Sequence, residues 1–156
     1  MVLSRLPVSR RRFATLLSAG LVSACTPRPA GAKTIVIHKD PTCDCCTGWV
    51  GHLGRAGFST SVVKQSDLTG IRARYGVPDS ALSCHMAVID GYFVEGHVPA
   101  EDIDRLIRLK PMARGLAVPG MPVGSPGMES LDGRQDSYDV LLIMKDGSSS
   151  TFARHS

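Results

Sequence analysis

Residues 43–46 read Cys43-Asp44-Cys45-Cys46 and directly follow an apolar β-branched run, Thr34-Ile35-Val36-Ile37. Three of the five cysteines in the 156-residue chain therefore fall within four positions, between a strand signal and a helix signal. Cys84, beside His85, precedes a second strand-like run. Thiolate is the nucleophile of disulfide exchange and a preferred ligand of Cu(I) and Zn(II), so this density points to redox work or a soft metal. A pair of structural disulfides is the plainer alternative. Cys45 and Cys46 are poor partners for each other, because adjacent Cβ vectors diverge and disulfide geometry is narrow.

The first 24 residues read as an export signal. Ser9-Arg10-Arg11-Arg12-Phe13 resembles a twin-arginine motif, and the apolar stretch from Ala14 to Val22 is too short to span a bilayer, which needs roughly 20 residues. Val22-Ser23-Ala24-Cys25 resembles a lipobox with Cys25 as the lipidated residue, and a rival small-x-small cleavage site ends at Ala32. The segment holds Arg5, Arg10, Arg11 and Arg12 and no acid, so the formal charge of +4 resides in it. The remainder is formally neutral and gives no case for nucleic-acid binding. Contact with a membrane is expected only through the lipid anchor. The periplasm or outer surface oxidises thiols, so the four remaining cysteines must be paired, metal-bound or redox-active.

Residues 25–33 read as a flexible tether, and residues 34–154 as one domain. Its strands are expected at 34–38 and 58–63. A helix is expected over 45–56, with Trp49, Val50, Leu53 and Ala56 on its apolar face and Gly57 as its stop. A second helix spans 67–75, closed by Gly76-Val77-Pro78. Strands at 85–89 and 92–97 are joined by the turn signal Asp90-Gly91, and Pro99 opens a third helix that ends before Pro111. This order, β-α-β-α-β-β-α, is the thioredoxin-like α/β arrangement. The cysteines sit at a helix N-terminus, where free N–H groups and the helix dipole favour thiolate. The loop Leu82-Ser83-Cys84-His85 lacks the proline that thioredoxins place there and offers a thiol instead, which favours a multi-thiol metal site over a plain dithiol enzyme. Residues 115–128 form a Gly/Pro-rich loop carrying Met121 and Met128, and a final hairpin at 138–144 and 149–152 turns at Asp146-Gly147.

The run Lys39-Asp40-Pro41-Thr42-Cys43-Asp44-Cys45-Cys46, with Trp49 and His52-Leu53, resembles the CopG-type copper-resistance family of small periplasmic proteins. Cys84-His85, Val94-Glu95-Gly96-His97-Val98-Pro99 and residues 115–128 match it as well. The resemblance covers roughly residues 33–152. It implies a thioredoxin-like fold, copper binding and a role in copper tolerance. Met86 departs from the pattern, where a small residue is more usual.

The candidate metal ligands are Cys43, Cys45, Cys46, Cys84 and His85, with Cys43 and Cys46 as the redox pair. In a strict strand Cys84 and His85 would face opposite sides, so shared ligation needs a non-extended backbone there. His52 lies roughly 10.5 Å along the helix axis from Cys45, against metal–ligand bonds of about 2 Å, so the two do not share one ion. His52 binds a second ion or caps a helix face. His97 reads as ordering a turn or as a ligand. Met86, Met121 and Met128 are soft ligands or packing groups, and His155 reads as inert in a frayed terminus. The function read from these features is periplasmic Cu(I) binding in copper tolerance, with zinc the lesser fit and other periplasmic copper-handling proteins as partners. A metal-independent thiol–disulfide oxidoreductase acting through Cys43 and Cys46 is the alternative, and a structural zinc site a third.

Overall fold

The computed structural model describes residues 33–156. The expected signal, Cys25 and the tether as far as residue 32 lie outside the described residues; Lys33, its last residue, is held by Asp104 and by Ser59 N–H.

Short β-branched runs alternate with amphipathic segments, and each becomes an element. Strand β1 (Thr34–Lys39) leads into α1 (Asp44–Arg55), then β2 (Ser59–Lys64), α2 (Thr69–Tyr75), β3 (His85–Ile89), β4 (Tyr92–Glu95) and α3 (Ala100–Leu109). This is the expected thioredoxin-like β-α-β-α-β-β-α order. Gly57, at φ +90°, stops α1. Phe58 N–H then donates to Leu53 C=O and Gly57 N–H to Gly54 C=O, a Schellman closure with its hydrophobic residue in place. Asp90 and Gly91 both take positive φ, as a type I′ hairpin turn requires.

The sheet continues past the core through β5 (Ala113–Ala117), β6 (Tyr138–Met144) and β7 (Ser149–His155), in the order β2-β1-β3-β4-β5-β6-β7. The pairs β1–β2 and β4–β5 are parallel and the others antiparallel. Residues 115–117 belong to β5, which corrects the expected loop over 115–128. Gly115 stands opposite Phe93, and a Cβ at that position would lie 2.0 Å from Phe93 C=O. Only glycine lets the two strands approach. A residue that weakens strands elsewhere is thus the requirement for this one.

Alternation along the strands sorts side chains onto the two faces. Ile35, Ile37, Ala87, Ile89, Val94 and Leu116 form the larger core with Trp49 and Leu53 of α1 and Ile103 and Leu106 of α3. Met86, Phe93, Ala117 and Ile143 form the smaller one, against which Ile71 and Tyr75 of α2 pack. Helices α1 and α3 therefore share one face and α2 takes the other. The C-terminus is not frayed: His155 ends β7, bonds Asp102 at 2.7 Å and stacks on Tyr138. Among the described residues no helix is long and apolar enough to cross a membrane.

Candidate metal centre

The N-terminus of α1 carries the first part of the site. Cys43 is the N-cap, and Cys46 N–H points at its sulfur. One turn of helix returns Cys46 towards Cys43, and the two are joined as a disulfide. Cys45 and Cys84 are free thiols. Among the described residues the chain therefore forms one disulfide, Cys43–Cys46, and not the alternative of two structural ones. Cys45 Sγ lies 3.4 Å from Cys43 Sγ.

Residues 82–84 carry the second part, immediately before β3. Cys84 Sγ lies 3.6 Å from Cys46 Sγ, and all four sulfurs stand within 4.8 Å of one another. Cys84 also faces two imidazoles, His85 Nδ1 at 3.2 Å and His97 Nε2 at 3.2 Å. Cys84 lies outside the strand and His85 begins it, so the opposite-face rule does not apply. The result is two overlapping donor groups, one of four sulfurs and one of a sulfur with two ring nitrogens, sharing Cys84.

Sequence alone leaves His97 between turn ordering and ligation. In the fold, Gly96 N–H donates to His85 C=O, which draws the end of β4 alongside the start of β3 and brings the two rings together, centroids 4.9 Å apart. His97 Nδ1 donates to Pro126 C=O at 2.9 Å. That bond fixes the tautomer and leaves the Nε2 lone pair facing Cys84, as in metal sites where an outer carbonyl orients the ligand. His85 packs on Trp49 with ring centroids 4.4 Å apart, and its Nε2 is buried without a hydrogen-bond partner. Trp49 Nε1 is satisfied by Val98 C=O at 2.8 Å.

Burial, then the neighbouring His97, pushes His85 down to about 3. Burial also lowers His97, against the pull of its bond to Pro126. Both imidazoles are neutral at ordinary pH, the state a metal ligand needs. Burial, followed by the charge of Cys45, pushes the Cys84 thiol up to about 11. A thiolate is costly there unless a cation arrives with it. Four sulfurs and two neutral imidazoles make a donor set that suits a soft or borderline transition metal.

The other candidates sit elsewhere. His52 Nε2 accepts from Ala100 N–H at 3.0 Å, so it caps α3, one of the two roles its spacing allowed. Met86 is fully buried beside Phe93 in the smaller core. Met121 is 53% exposed on the loop after β5. Met128 follows Gly127, whose Cα packs against Gly48 of α1; a Cβ on Gly127, at φ +85°, would lie 2.6 Å from Cys45 C=O. The segment at 126–128 thus rests on the first two turns of α1 while its Pro126 carbonyl holds His97.

Residues 81–128 match the family model described as protein of unknown function, DUF411. Among solved structures, the chain is similar to copper resistance protein CopG in two forms. Form 1 is 48% identical, with 80% of this chain and 98% of that chain covered and a TM-score of 0.75. Form 2 is 47% identical, covering 80% and 99%, with a TM-score of 0.76. No curated protein matches the chain.

Proposed function

This chain belongs to the CopG copper-resistance family, and from that premise we propose that it binds copper as Cu(I) outside the cytoplasm and serves copper tolerance. The observation that carries the reading is the position of Cys84, shared between three helix-borne sulfurs and two neutral imidazoles. In the reduced protein Cys43, Cys45, Cys46 and Cys84 offer four thiolates, with His85 and His97 beside them. Thiolates select Cu(I) over harder ions, and zinc is the lesser fit. Copper is cargo here, received from or passed to other periplasmic copper-handling proteins.

Cys43 and Cys46 add a redox function. Forming their disulfide releases two electrons and two protons, enough to reduce two Cu(II) ions to Cu(I); reduction of the disulfide runs the balance in reverse. Export through the twin-arginine signal and lipidation at Cys25 complete the proposal, and mass spectrometry of the mature N-terminus tests them. A free N-terminus at Lys33 would show cleavage at the rival site.

The central test is Cu(I) stoichiometry and affinity of the reduced protein, measured by competition with a Cu(I) chelator and then with Zn(II). Displacement of copper by an equal concentration of zinc would overturn the reading. One observation favours a second reading, a metal-independent thiol–disulfide oxidoreductase: the Cys43–Cys46 disulfide sits at a helix N-terminus. That enzyme would need neither Cys45 nor Cys84.

A further inference from the structure

Glu95 is fully buried at the end of β4, and its ion-pair partner is Arg72 of α2, whose side chain is 19% exposed. Buried ion pairs are weak devices for stability, since well-packed apolar residues of similar volume often do as well or better. The hydrogen bonds of this pair indicate a different use. Glu95 Oε1 accepts from the backbone N–H of Ser83 at 2.9 Å. The Arg72 guanidinium donates to both Glu95 oxygens, at 2.5 and 3.2 Å, and to the Ser83 carbonyl at 2.7 Å. The two charged side chains therefore grip both polar backbone groups of a single residue, the one before Cys84.

Ser83 is held from two more directions. Its hydroxyl donates to Gly120 C=O at 2.5 Å, and its side chain lies against Gly96, where an added Cβ would come within 2.7 Å of Ser83 Oγ. No regular ladder fixes this residue, because it lies between the single 3-10 turn Asp79–Ala81 and the start of β3. It also lacks the conformational restriction a proline would supply.

We propose that the Arg72–Glu95 pair is a positioning device: by clamping the Ser83 peptide groups, it sets Cys84 Sγ at the junction of the sulfur group and the two imidazoles. Arg72 suits this task because its planar fork binds a carboxylate and a carbonyl at once, which the point charge of a lysine does less well. A displacement of Cys84 by a fraction of a bond length disturbs both donor groups together, since each contains its sulfur. The inference rests on the copper reading for its purpose, but the clamp has a readout that needs no metal.

The test is the full-length Arg72→Met/Glu95→Met variant, which removes the pair without leaving an orphaned charge. Two quantities are measured. In oxidised, metal-free protein, iodoacetamide labelling with peptide mass mapping gives the rate at Cys84 relative to Cys45. In reduced protein, chelator competition gives Cu(I) affinity. The clamp predicts a folded variant with relative Cys84 labelling about tenfold faster and Cu(I) binding about tenfold weaker. A folded variant with wild-type values of both would overturn it and leave the pair as a stability element. If the double variant does not fold, Arg72→Lys is read in the same way: labelling about threefold faster supports the clamp, and an unchanged rate overturns it. Cys84→Ser is run in parallel. If that variant binds Cu(I) like wild type, the copper reading of Cys84 fails, while the labelling rates still decide the clamp.

Discussion

His97 Nε2 faces Cys84 Sγ at 3.2 Å while the opposite ring nitrogen is committed to the Pro126 carbonyl. One imidazole thus joins the end of β4, the loop before β3 and the segment at 126–128. Replacing it by glutamine keeps a polar group of similar reach but loses the second nitrogen. His97→Gln is expected to lower Cu(I) affinity at least about tenfold, or about 1.4 kcal/mol, with the far-UV circular dichroism unchanged. An unaltered affinity in chelator competition would limit His97 to a structural role.

Cys45 and Cys84 separate the two functional readings. Serine is nearly isosteric with cysteine and is a much poorer soft-metal ligand. Cys45→Ser and Cys84→Ser are each expected to fold and to lose at least about tenfold in Cu(I) affinity or the corresponding stoichiometry. If both folded variants bind copper like wild type, the disulfide-enzyme reading moves ahead.

Gly127 has no room for a side chain: a Cβ would lie 2.6 Å from both Cys45 C=O and Trp49 N, and its φ is positive. Gly127→Ala should destabilise the fold by about 1–3 kcal/mol in urea unfolding. It should also weaken Cu(I) binding, because the Pro126 carbonyl moves with the strained segment. A variant as stable as wild type would show that the segment shifts without cost.

Acid should loosen the metal-free protein through its histidines. His52 is lowered chiefly by burial, with Arg55 lowering it further and Glu101 and Glu129 opposing. His85 and His97 are lowered as well. A histidine with a lowered folded pKa binds fewer protons folded than unfolded, so stability is full above the unfolded value of about 6.5 and declines as pH falls below it. For His52 the cause is plain: its Nε2 accepts from Ala100 N–H, and a proton there would remove the bond and place positive charge at the start of α3. Urea midpoints from pH 7.5 to 5 should fall in wild type and fall less in His52→Gln, whose side-chain oxygen can still accept. Equal slopes would remove His52 from the account.

The thioredoxin-like core is legible in the sequence because each of its elements has a local cause: β-branched runs for β1 and β2, Asp90-Gly91 for the β3–β4 hairpin, Gly57 and Gly76 for helix ends. The four sulfurs are legible as one group for a related reason. A helix that starts where β1 ends begins at the same edge of the sheet as the loop entering antiparallel β3, and Cys84 stands in that loop. Strand β5 is hidden because its defining residue, Gly115, is a poor strand former suited to contact with Phe93. His97 cannot be placed from sequence because its orientation comes from Pro126, 29 residues away. The Arg72–Glu95 grip on Ser83 is likewise tertiary, with no periodicity to announce it.

In the proposed copper site, the Cys43–Cys46 disulfide would withdraw two of the four sulfurs from coordination. Occupancy and oxidation would then compete for the same atoms, and the coupling would be reciprocal. An ion that binds only the dithiol form raises its reduction potential by about 30 mV for each tenfold excess over its dissociation constant. A compartment flooded with Cu(I) would then hold these thiols reduced while it oxidises others. The redox state of one turn of helix would become a gauge of the metal around it.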